Sequence, residues 1–72
     1  MANQTLGNRL KVARAERGLS QEQLADLAGV TRQTISAIET ERYCPSALLA
    51  FLLAEQLDKK IDELFFLKGE AT

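Results

Sequence analysis

The chain has 72 residues, 46% of them hydrophobic and 26% charged, with nine basic residues against ten acidic ones and a sequence pI near 5.3. A single core in a domain this small contributes only about 3–5 kcal/mol; the lone Cys44 and the absence of histidine exclude an internal disulfide and a structural zinc site, leaving self-association as the expected reinforcement. No run of about 18 apolar residues exists to span a bilayer, and Met1–Thr5 lack the basic and apolar regions of a signal peptide, so a cytoplasmic protein with a free thiol is expected.

Helix signals dominate the chain. A first helix is expected from about Thr5 to Arg17, with Leu6, Leu10 and Ala13 on one face, and Gly18 follows where a left-handed cap belongs. Ser20 opens a second helix, and Gln23 completes a Ser-x-x-Gln capping box. Leu24, Ala25 and Ala28 form its buried stripe, and Gly29 stops it. Thr31 caps a third helix that carries Ile35 and Ile38 inward and ends near Thr40. After the turn Glu41-Arg42-Tyr43-Cys44-Pro45, Ser46 caps a very apolar fourth helix to about Leu57. A short fifth helix, Ile61 to about Phe65, precedes a polar tail. No alternation long enough for a sheet is visible, so the expectation is a compact all-α domain of five helices spanning residues 1–72.

Residues 20–40 have the constraints of a helix-turn-helix. Gly29 and Val30 alone join the second and third helices, which must therefore cross steeply and touch near the turn. Ala25 gives room for that approach, Gly29 gives the positive φ of the reversal, and Ile35 and Ile38 anchor the third helix from behind. Its other face carries Gln33, Ser36, Ala37 and Thr40, with Arg32 on one flank. The long polar groups lie at the N-terminal end, where Arg can pair with guanine and Gln with adenine, while an Ala or Thr methyl can meet a thymine methyl. Charge agrees only locally: residues 1–45 carry a net +1 and residues 46–72 a net −2, so contact with double-stranded DNA has to be placed by the fold.

Ser20-Gln21-Glu22-Gln23-Leu24-Ala25, continuing through Gly29-Val30-Thr31-Arg32-Gln33-Thr34-Ile35-Ser36 and Ile38-Glu39, closely resembles the phage-repressor (lambda Cro and repressor-like, XRE-type) helix-turn-helix family. Tyr43-x-Pro45-Ser46 and Ile61-Asp62-Glu63-Leu64-Phe65 are similar to that family's closing helices, so the resemblance covers roughly residues 6–66. It implies a lambda-repressor-like fold and a DNA-binding transcriptional regulator. By position it implies base-reading roles for Arg32, Gln33, Ser36 and Ala37, and phosphate contacts for Gln21, Thr31, Thr40 and Arg42. Arg14 and Glu39 match a buried ion pair of the family. Tyr43 is expected at the core edge with its hydroxyl near phosphate.

The fourth helix departs from the family pattern. Ala47, Leu49, Ala50, Leu53, Ala54 and Leu57 gather on one side, yet Leu48 and Leu52, where relatives often carry polar residues, fall opposite, with Phe51 between. A helix apolar nearly all round wants burial on both sides. A homodimer is therefore expected through residues 46–68, using Leu48, Phe51, Leu52, Phe65, Phe66 and Leu67, and it suits a two-fold operator read by two heads about 34 Å apart. Catalysis is not expected: no nucleophile has a nearby base, no P-loop glycine pattern exists, and no cofactor, metal or small-molecule site is evident. The alternative is an antitoxin-type interaction module that binds a toxin and its own promoter, as some members of the family do.

Overall fold

The computed structural model describes residues 4–69. The order of elements is β1 (Gln4–Asn8), α1 (Leu10–Glu16), α2 (Gln21–Ala28), α3 (Arg32–Glu39), α4 (Ala47–Gln56), α5 (Ile61–Leu64) and β2 (Phe65–Gly69). Leu10, Leu24, Ile35, Ile38, Leu53, Leu57 and Leu64, drawn from all five helices and the end of α4, are fully buried in one hydrophobic cluster. Among the described residues no helix is long and apolar enough to cross a membrane.

The five expected helices form, but the all-α expectation is corrected at both ends. Residues expected as the first turn of helix, and those expected as a polar tail, pair as an antiparallel two-stranded sheet with Leu6 opposite Leu67, Gly7 opposite Phe66 and Asn8 opposite Phe65. Two features delay the first helix, one local and one brought from the other end of the chain. The Asn8 side chain accepts the Leu10 amide at 3.0 Å, which starts α1 there. Gly7 is a weak helix former, and it gives the Phe66 ring a place to lie, because a Cβ at residue 7 would overlap that ring. The Arg9 guanidinium sits over the same ring, 4.6 Å from its centre.

Most helix ends share two devices, a side-chain N-cap and a left-handed C-terminal residue. Ser20, Thr31 and Ser46 each accept an amide from the first turn of their helix, and Gln23 reaches back to the Ser20 N–H to close the capping box. At the C-termini, Gly18, Gly29, Glu41 and Asp58 adopt left-handed φ values of 66°, 75°, 63° and 53°. The amides that follow them, of Leu19, Val30, Arg42 and Lys59, turn back to the carbonyls of Arg14, Ala25, Ala37 and Ala54 at 2.8–3.1 Å. Four helices thus end in the same Schellman-type closure, two of them at residues that carry a Cβ.

On α4, Leu49, Ala50, Leu53 and Ala54 are buried, together with Leu57 just beyond its end. Ala47, expected among them, is exposed in the first turn. Phe65, expected on a pairing surface, is only 7% exposed, because β2 begins by turning that side chain into the core.

Candidate nucleic-acid interface

The turn between α2 and α3 is made by Gly29, Val30 and Thr31, and it brings the two helices together over Ala25, which is buried. Ile35 and Ile38 hold α3 against the core. With those anchors inward, Arg32 and Gln33 are exposed at the N-terminal end of α3, while Ser36 and Ala37 are half-buried in its middle. The outward face therefore has long polar arms at one end and a low, short-chained centre.

The residues around this face are held by specific bonds. Thr31 caps α3 by accepting the Thr34 amide at 3.2 Å, and its hydroxyl also pairs with that of Thr34 at 3.0 Å. Thr40 lies exposed at the other end and donates its hydroxyl proton to the Ser36 carbonyl at 2.9 Å. Arg42 donates from Nε to the Thr40 hydroxyl at 3.0 Å, so the guanidinium lies along the end of α3 with its terminal nitrogens still able to donate. Tyr43 is exposed in the following turn, away from the packed position expected for it.

Behind the face stands a connected polar group. Arg14 on α1 grips Glu39 on α3 with two bonds, Nε to Oε2 at 2.8 Å and Nη2 to Oε1 at 3.3 Å. Its third bond, from Nη1 to the Leu19 carbonyl, measures 2.9 Å. Gln21, in the first turn of α2, donates to the same carboxylate at 3.1 Å. Glu39 therefore ties together the starts and ends of three helices. Its side chain is 5% exposed and that of Arg14 is 14% exposed, so the charges are largely withdrawn from water but fully paired.

Of the residues read from the sequence, Arg32, Gln33, Ser36, Ala37, Thr31, Thr40, Arg42 and Gln21 lie on or beside α3, and Arg14 and Glu39 meet behind it. The hydrophobic residues on α4 form a separate surface: Leu48 is 71% exposed, Phe51 60%, and Leu52 half-buried, and the three line one shallow hollow. Leu67 is exposed in a different hollow with Leu6 and Tyr43, and Phe66 is half-buried between Gly7 and Arg9. The reading missed Asn8, which donates from Nδ2 to the Ile38 carbonyl at 2.8 Å. An Asn just before an apolar-periodic segment was the available signal.

Comparison with known proteins agrees with this geometry. The helix-turn-helix family model matches residues 10–64. YgzD of Bacillus subtilis, an uncharacterised HTH-type transcriptional regulator, is 44% identical over 63 residues, covering 88% of this chain and 96% of that protein. The immunity repressor protein of Bacillus phage phi105 is 48% identical over 42 residues, which are 58% of this chain and 29% of the repressor. The N-terminal DNA-binding domain of SinR from Bacillus subtilis superposes with a TM-score of 0.69 at 33% identity, over 75% of this chain and 80% of its own. The chain belongs to the XRE-type helix-turn-helix family.

Proposed function

We propose that this chain is a cytoplasmic, sequence-specific DNA-binding transcriptional repressor that reads a two-fold symmetric operator as a homodimer, with α3 in the major groove. One observation carries the reading: the split of α3 into an anchored back, Ile35 and Ile38, and a front with Arg32 and Gln33 exposed beside the short Ser36 and Ala37. Such a front lets the helix approach base edges closely and puts its two best hydrogen-bonding arms where a recognition helix meets them. The likeness to the SinR DNA-binding domain and to a phage immunity repressor supports the same role.

In this reading Thr31, Thr40, Arg42 and Tyr43 meet phosphates at the two ends of α3, and Gln21 uses one amide N–H for Glu39 and offers the other to a phosphate. Dimerisation falls to Leu48, Phe51 and Leu52. Two large apolar side chains exposed side by side on a helix whose other face is buried favour a second apolar surface over water. Two heads per complex also suit a net charge of −1, because a single small head gains little from long-range attraction to DNA.

The test is selection of bound sequences from a random DNA pool. A repeated half-site in inverted orientation, its two copies about one helical turn apart, is the expected result. Recovery of unenriched sequence at moderate salt would defeat the proposal.

A further inference from the structure

The β1–α1 junction touches the far end of α3 through one side chain, whose amide both donates and accepts. Asn8 accepts the Leu10 amide with Oδ1 at 3.0 Å and donates to the Ile38 carbonyl from Nδ2 at 2.8 Å. Only one orientation of the amide satisfies both partners, because a backbone N–H needs an acceptor and a carbonyl needs a donor. The junction is itself held firmly. Asn8 pairs with Phe65 across the sheet, and the neighbouring Arg9 amide donates to the Leu64 carbonyl at 2.8 Å.

The other end of this bond lies in the last turn of α3. The Ile38 carbonyl also receives the Glu41 amide at 3.0 Å, within the closure that carries Thr40 and Arg42. Arg14 and Gln21 hold the same turn through Glu39. Those bonds come from α1 and α2, whereas Asn8 brings in the two-stranded sheet, whose second strand begins 57 residues later in the chain.

We infer that Asn8 is a positioning residue for DNA reading: its amide latches the C-terminal turn of α3 to the β1–β2 sheet and so sets where α3 and Arg42 sit. The inference rests on the proposed DNA-binding role, and its function is to convert closure of the sheet into a fixed pose of the reading helix. Without the latch, α3 keeps its apolar anchors and the bonds to Glu39, but its last turn loses its tie to the sheet and is less closely fixed. Base contacts that need close registry then weaken more than contacts made by charge alone.

Asn8→Asp separates the two bonds of this side chain. A carboxylate still accepts the Leu10 amide at the start of α1, where an anion is favourable, but it offers the Ile38 carbonyl no donor. Two measurements on the full chain decide the matter. Amide hydrogen exchange is compared at Thr40, Glu41 and Arg42 against core amides of α2, and preference for the selected operator over random DNA is compared with wild type. The expected result is exchange faster by about tenfold at the three amides that close the C-terminal end of α3, with α2 unchanged, the scale of one lost hydrogen bond, together with a fall of about fivefold to tenfold in operator preference.

Unchanged exchange at the end of α3 would overturn the latch. Faster exchange with an unchanged operator preference would overturn the positioning role. If wild type itself has no preferred sequence, the DNA-reading proposal fails and the positioning role fails with it, while the exchange data still decide whether the latch exists. Asn8→Ala serves as the companion variant: it removes the bond to the Leu10 amide as well, and a drop in operator preference no larger than its loss of overall stability explains would also count against positioning.

Discussion

Arg14 and Glu39, 25 positions apart in sequence, form a two-pronged ion pair from α1 to α3 with the carboxylate 5% exposed. The pair matters because removal of either partner strands the other in a poorly solvated place. Glu39→Ala should destabilise the protein by about 3 kcal/mol, because Arg14 keeps its bond to Leu19 but loses its counter-charge. In urea unfolding, the double variant Arg14→Met with Glu39→Leu should be more stable than Glu39→Ala alone, because the orphan charge is gone. Equal stability of the two would show that the pair is not effectively buried.

The left-handed helix ends give opposite predictions at glycine and non-glycine positions. Nothing lies within 4 Å of a Cβ placed on Gly18, so Gly18→Ala meets only the conformational penalty, about 1 kcal/mol of destabilisation. Asp58→Gly should stabilise by roughly 0.5–1 kcal/mol. Its ion pair with Arg17 at 3.4 Å is 91% exposed on the Asp58 side and contributes little. Thermal unfolding of both variants checks the signs. Glu41→Gly should gain less, because Glu41 also receives two bonds from Lys68 at 2.9 and 3.0 Å.

The apolar face of α4 can be tested without harming the core. Leu48 and Phe51 are exposed, so Leu48→Lys with Phe51→Lys should leave the folded monomer intact and change unfolding free energy of the isolated chain by less than about 1 kcal/mol. Sedimentation should report dimers for wild type and monomers for the variant at the same concentration, and operator affinity should fall by more than about tenfold. A dimer that survives both lysines would place the interface elsewhere.

Arg32 and Arg42 should fail in different ways. Arg32→Ala is expected to cost about 1–3 kcal/mol of operator binding and to relax preference at one base pair in each half-site. Arg42→Ala should weaken binding to all sequences alike and lower the slope of log affinity against log salt by about one per protomer. Titrations at several salt concentrations with operator and random DNA separate the two. Loss of sequence preference in Arg42→Ala and not in Arg32→Ala would reverse their assignments.

The helix-turn-helix was legible in the sequence because its determinants are local. Ser20 with Gln23, the left-handed Gly29 and the spacing of Ala25, Ile35 and Ile38 all act within about one or two turns of helix, where residue type limits the backbone directly. The outward placement of Arg32 and Gln33 follows from the same period once Ile35 and Ile38 are anchored. What tertiary structure alone decided lies at the two ends of the chain. Leu6 and Leu10 fit a helical face, and nothing within several residues of them announces a partner at positions 65–69. The strand forms because Phe65 finds room in the core and Phe66 finds the bare backbone of Gly7, the latter a contact between opposite ends of the described chain. That pairing turned Phe65 away from any surface, and it placed Asn8 where it could hold the end of α3. Local bonds such as that of Asn8 to the Leu10 amide set where α1 begins, but the energy that makes residues 4–8 a strand came from partners that only the folded chain brings together.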